Sequence, residues 1–153
     1  MHGCLGGVWT AGALSFVIDA DDKGGIVAEL TERLERAGAR ATHAPHAGNF
    51  AYDVETMKLI LEQMCTEAGV DVRLHTRVAA AARDANNRLS VCITESKSGR
   101  EAWAAKCFVD ATGDGDLAAQ ASCGFDMGHP KSGRMQPMSL MAMLTGIELD
   151  DIE

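Results

Sequence analysis

The sequence is short of positive charge: 14 Lys and Arg stand against 22 Asp and Glu, a net charge of -8. That balance argues against a nucleic-acid or anionic-membrane surface, since either calls for a basic patch. Aromatic residues make up only 5% of the chain, too few for a platform that stacks single-stranded bases. There is no Cys-x-x-Cys pair. The five cysteines (Cys4, Cys65, Cys92, Cys107 and Cys123) are odd in number and scattered, so they form no disulfide framework. They suit reduced thiols in a cytoplasmic protein, and their spacing is wrong for zinc or iron–sulfur ligation. No apolar run approaches the roughly 20 residues that cross a bilayer. Val8 to Ile18 is mostly apolar, but no Lys or Arg precedes it and glycines and a threonine interrupt or flank it, unlike a signal-peptide core. These absences predict a soluble, cytoplasmic protein with neither nucleic acid nor membrane as partner.

What is there is a globular composition, 46% hydrophobic and 24% charged, in 153 residues, enough for one domain with a core. Gly25 to Ala37 reads as a helix, with Val27, Leu30, Leu34 and Ala37 on one face and Glu29/Arg33 and Glu32/Arg36 paired outside. Arg40 to Tyr52 has no period and contains Pro45, Gly48 and Asn49, which predicts a loop. Asp53 caps a second helix carrying Val54, Met57, Leu61, Met64 and Ala68 at helical spacing, and Gly69 ends it. Val70, Val72 and Leu74 alternate with polar residues as a short strand. Val78 to Ala82, Leu89 to Ile93 and Glu101 to Ala105 then make an antiparallel meander over about 77–105, with turns at Ala85 to Arg88 and Ser96 to Gly99. Lys106 to Ala111 reads as a more buried strand. This order predicts an α/β layer with an antiparallel insertion.

The chemistry concentrates after that strand. Gly113-Asp114-Gly115-Asp116-Leu117-Ala118 matches G-x-G-x-x-A between a strand and a helix, the context in which glycines cradle a dinucleotide pyrophosphate. Two features oppose that meaning. Asp114 and Asp116 would sit beside the phosphates, where unpaired like charge is costly. No strand ending in an acid follows near residue 135, where the chain reads HPKSGRMQPM. Carboxylates beside a nucleotide suit sugar hydroxyls instead, and on residue chemistry alone a helix N-terminus capped by aspartates is as good a reading. An NAD(P)-binding module using Gly113 to Ala118 therefore stays open, as does a non-enzymatic remnant.

The ordered set of motifs resembles the FAD-dependent oxidoreductase family. It comprises Leu5-Gly6-Gly7-Val8-Trp9-Thr10, Asp53-Val54-Glu55 with Lys58, Glu67-Ala68-Gly69-Val70 and Ser96 to Arg100. Val109-Asp110-Ala111-Thr112-Gly113-Asp114-Gly115-Asp116 and Met135-Gln136-Pro137-Met138-Ser139 complete it, and the likeness runs over essentially the whole chain. The resemblance implies a partial Rossmann-like FAD/NAD(P)-binding domain with an inserted β-meander, and a second cofactor contact at 109–118. It places Gly6, Gly7 and Thr10 along FAD, and the Val78 backbone at the adenine. Ala111, Thr112 and Gly113 fall near the adenosine and pyrophosphate, Asp114 at a sugar or ribityl hydroxyl, and Pro137, Met138 and Ser139 near the flavin. The implied activity moves a hydride or electron pair between a small-molecule substrate and flavin, with a separate electron acceptor.

The family's primary G-x-G-x-x-G belongs upstream of Leu5, and the chain has only Met1 to Cys4 there. The expectation is thus an internal portion of a flavoprotein that binds FAD weakly or not at all alone, and is inactive by itself. Relatives similar to heterodisulfide-reductase-type flavoproteins also carry a 4Fe-4S cluster, for which this chain supplies no ligand run. His43 and His46 lack ligand-type neighbours and read as solvated. Lys131 and Arg134 read as a solvated loop in preference to an anionic-substrate contact, and Met135, Met138, Met141 and Met143 as adaptable packing. No catalytic acid or base is named, because no Ser-His-Asp or Cys-His pairing can be argued from the sequence.

Overall fold

Leu30 and Leu34, one turn apart on the expected apolar face, are both buried in a helix that begins after Gly25 and ends at Ala37. The computed structural model describes residues 2–41, 48–142 and 144–146. His43, His46 and Met143 lie outside the described residues. The chain divides into two compact units, His75–Met138 and His2–Leu74 with the segment from Ser139 onward. Among the described residues no helix is long and apolar enough to cross a membrane.

In the first half, strand β1 (Phe16–Val17) precedes helix α1 (Ile26–Arg36), strand β2 (Phe50–Ala51) and helix α2 (Val54–Glu67). Helix α2 starts where Asp53 accepts hydrogen bonds from the Thr56 N–H (2.8 Å) and hydroxyl (2.7 Å). Its buried Val54, Met57 and Ile60 meet Leu30, Leu34, Val17, Phe50 and Tyr52 in one core. Arg33 on α1 bonds Glu29 and reaches Glu67 at the end of α2, at 2.6 and 2.5 Å. That pairing holds the Glu67 carboxyl below the usual range.

Two expectations fail here. Arg40 to Tyr52 is not a loop throughout, since β2 pairs antiparallel with β1 (Phe16 opposite Ala51, Val17 opposite Phe50) and Arg40 bridges to Tyr52. Burial of Phe50 and Tyr52 overrides the Pro/Gly/Asn composition, and the Arg40 guanidinium lies 4.6 Å over the Phe50 ring. Val70 to Leu74 is not a strand. Its alternation survives in burial at Val72 and Leu74, but neither described sheet includes it, and Val70 is exposed. Alternation fixes faces, whereas a strand also needs a ladder partner.

The second half carries the expected meander: strands β3 (Arg77–Arg83), β4 (Leu89–Ser96) and β5 (Gly99–Ala104), paired in that order and antiparallel. The Asp84 carboxylate fastens the first turn by accepting from the Asn86 and Arg88 N–H groups at 2.9 Å each. Glu95 binds Arg77 at 2.7 Å and also Arg100, joining all three strands. Lys106 to Ala111, expected as a buried strand, is irregular with Val109 83% exposed. Here too no ladder partner is present among the described residues. A short helix, α3 (Asp116–Gln120), follows, with Leu117 buried. The α/β class and the inserted antiparallel meander hold. Both described sheets are antiparallel, so no parallel ladder of Rossmann type is seen among the described residues.

Candidate functional site

The candidate residues divide between the two units. In the unit of the two long helices, Gly6 takes φ 103° and opens a 3-10 turn over Gly7–Trp9. A Cβ on Gly6 would meet Thr10 Cγ2 at 2.7 Å and Leu61 Cδ1 at 2.9 Å, so its missing side chain makes room for the protein's own packing. Gly7 has nothing within 4 Å of a built Cβ, which leaves that side of the turn open. Thr10 is buried, and its hydroxyl donates to the Leu5 carbonyl at 2.5 Å. The Tyr52 hydroxyl donates toward the Trp9 carbonyl (2.8 Å) and that of Leu14 (3.0 Å), pinning the turn to the residue after β2, and burial raises the phenol to about 12. Ser139 belongs to this unit and is exposed.

In the other unit the decisive residue is Asp110, which the sequence reading did not single out. Its carboxylate accepts from the Ala118 N–H (2.8 Å), the Thr112 N–H (3.0 Å) and the Thr112 hydroxyl (2.7 Å). The Thr112 hydroxyl in turn accepts from the Asp116 N–H at 2.8 Å. These bonds, that from Ala118 first, hold the Asp110 carboxyl below the usual aspartate range. The amides at the start of α3 are thus satisfied by the chain's own aspartate and threonine. The available signal was Asp110-x-Thr112, an Asx-type turn just ahead of a helix start.

That fastening leaves Gly113-Asp114-Gly115 as the crest of the turn, with Gly113 and Asp114 exposed and Gly115 half-buried. Gly113 and Gly115 take φ 92° and 73°, and neither has an atom within 4 Å of a built Cβ. Asp114 is exposed, and its carboxylate makes no hydrogen bond or ion pair among the described residues. The crest borders a cleft of about 470 Å³ whose other walls include Ala118, Phe125, Met127, Gly128 and Met135. Gly128 is needed for shape, since a Cβ there would lie 2.7 Å from the Gly133 carbonyl. Ala111 and Thr112 are exposed on the approach to the crest. Val78 pairs with Thr94 in β3, an edge strand of its sheet. Pro137 and Met138 lie on an irregular exposed segment, with Met138 fully exposed.

An unpaired carboxylate, bare glycine backbone and an apolar wall together suit a ligand with hydroxyls at one end and a flat apolar group at the other, as FAD has. They do not suit a pyrophosphate at the α3 start, where Asp110 already supplies the negative charge. Among the described residues no group of three His, Cys, Asp or Glu could hold a metal ion. Lys131 and Arg134 make no ion pair among the described residues and lie in a turn built on His129, whose Nδ1 accepts from the Lys131 and Ser132 N–H groups. No curated protein and no solved structure matches the chain. The family model described as FAD dependent oxidoreductase matches residues 1–153, and the chain belongs to that family.

Proposed function

We propose that the chain holds FAD for an oxidoreductase, with the Gly113-Asp114-Gly115 crest meeting a sugar or ribityl hydroxyl of the cofactor. Bound FAD would supply the redox chemistry, accepting or returning a hydride equivalent. The chain's residues bind, orient and shield it. Asp114 accepts a hydrogen bond from a hydroxyl, and the two glycines let the ligand approach the backbone. Phe125, Met127 and Met135 offer an apolar wall. In the same unit the Val78 backbone is a further contact this reading needs, with Pro137 and Met138 toward the flavin. In the other unit Gly7, on the open side of its turn, and Ser139 are candidate contacts taken by themselves. The redox partners are a small-molecule substrate and an electron acceptor.

The observation that carries this reading is the Asp110 carboxylate at the start of α3. It fills the position a pyrophosphate would take in an NAD(P) fingerprint, and so favours FAD hydroxyls over nicotinamide-dinucleotide phosphates at this turn. Titration of the chain with FAD, followed by quenching of flavin fluorescence, tests it. Losing a hydrogen bond to a charged group weakens binding by about ten- to a hundredfold, so Asp114→Ala should reduce affinity by that factor and Asp114→Asn by less. Equal affinity in the Asp114→Ala variant would remove Asp114 from the site. Tight NAD(P) binding in its place would restore the fingerprint reading.

A further inference from the structure

Asp114-Gly115 is the single Asp-Gly step in the sequence, and there is no Asn-Gly step. An aspartate followed by glycine is chemically fragile, because the next amide nitrogen can reach the side-chain carbonyl carbon when no Cβ obstructs it. Whether it does so in a folded chain depends on how firmly both partners are held. Four other aspartates show what firm holding looks like. Asp110 accepts three hydrogen bonds, Asp84 accepts two from backbone N–H groups, and Asp53 is bound by Thr56. After Asp19, the Ala20 N–H that would have to attack is itself bonded to the Gly48 carbonyl at 2.7 Å. Asp114 differs on every count. Its side chain is exposed and unbonded among the described residues. No atom lies within 4 Å of a Cβ built on the half-buried Gly115, and the Gly115 N–H donates no hydrogen bond among the described residues.

We infer that Asp114-Gly115 is a site of spontaneous isoaspartate formation in the native chain. The Gly115 amide nitrogen bonds to Cγ of Asp114, and the carboxyl hydroxyl leaves as water with the amide hydrogen, closing a five-membered imide. One water molecule then reopens the ring. Cleavage at the original main-chain carbonyl leaves the backbone running through the β-carbon, one methylene longer, with the carboxylate moved to a new place. The step is redox-neutral and needs no co-reactant but water. Its consequence is specific to this fold, since it re-aims the one unpaired carboxylate on the crest of the cleft.

The test is incubation of the full chain at neutral pH. Peptide mapping then uses a protease that cuts before aspartate but not isoaspartate, with mass-spectrometric fragmentation to locate the modified residue. The expected result is loss of cleavage before residue 114 ahead of every other aspartate. Its rate should lie within about tenfold of that in the urea-unfolded chain, as befits a segment with almost no local opening cost. Asp114→Glu, which cannot close the five-membered ring, should abolish it, and Gly115→Ala should slow it. If Asp114 stays intact in the native chain while isomerising in urea, or another aspartate leads, the inference is overturned. A parallel incubation with FAD addresses the separate question of cofactor contact. Protection by FAD supports the hydroxyl contact, whereas isomerisation unaffected by saturating FAD counts against that contact and leaves the modification standing.

Discussion

The two units differ in what holds them together. The unit of α1 and α2 buries eight hydrophobic side chains among its described residues, with Phe50, Leu34 and Met57 fully enclosed. The meander unit buries three, Cys92, Leu117 and Ala121, while large hydrophobic side chains stay exposed in both units. Charge divides the same way. Residues 75–138 carry eight Lys and Arg against seven Asp and Glu, so the other unit, with six against fifteen, holds all of the chain's net negative charge. The helical unit is organised by apolar packing. The meander unit is organised by backbone ladders and side-chain-to-backbone bonds, at Asp84 and above all at Asp110. A segment fastened by hydrogen bonds instead of a core can present glycines and a carboxylate to a ligand, since its backbone need not be buried.

The largest effect that would break this comparison is a core deletion. Phe50→Ala should cost the helical unit about 3–5 kcal/mol, whereas Leu117→Ala, in a thinner setting, should fall near the low end of the 2–5 kcal/mol range for such changes. Native-state hydrogen exchange reads each locally, through the amides of α1 and α2 for the first and those of α3 and β3 for the second. Equal losses would mean that the meander unit has a core as demanding as the helical one.

A smaller effect separates two adjacent glycines. Gly6→Ala forces a Cβ onto Thr10 and Leu61 at φ 103° and should destabilise the helical unit by about 1–3 kcal/mol. Gly7→Ala meets nothing and should cost only the left-handed backbone penalty, about 1–2 kcal/mol. Thermal unfolding of the two variants side by side checks the order. If Gly7→Ala keeps its fold but loses FAD binding, the open side of the turn is a ligand surface.

What was legible in the sequence follows from the range of the forces involved. The helices were readable because their signals are local: Asp53 caps, Leu30 and Leu34 repeat, and Gly69 stops. The meander was readable from alternation and two turn clusters. Val70 to Leu74 and Lys106 to Ala111 were misread because a strand needs a partner, and partners are not encoded within the strand. Phe50 was missed for the converse reason, since its pairing with Val17 overrides a loop-like composition from more than thirty residues away. At the candidate site the glycines and Asp114 were visible as a motif. Asp110 stands within that motif, but its role depends on the fold of the turn, where its pairing with Thr112 gives the crest its shape.

The smallest expected effect is an acid dependence confined to that crest. Because hydrogen bonds from Ala118 and Thr112 lower the Asp110 pKa in the folded chain, its contribution is present above the unfolded-state pKa, near the ordinary aspartate value. As pH falls through the lower folded value, the carboxylate protonates and the turn loosens. The Ala118 and Thr112 amides should therefore be protected from hydrogen exchange at neutral pH and lose that protection in acid. The amides of β4 beside them, held by ladder bonds to uncharged carbonyls, should keep theirs over the same range. Asp110→Asn keeps one carbonyl acceptor but loses the charge, so it should show the acid behaviour of the crest already at neutral pH. If the Ala118 amide stays protected in that variant, α3 is held by the burial of Leu117 and not by Asp110, and the contrast between a packed unit and a hydrogen-bonded one would have to be withdrawn at the crest.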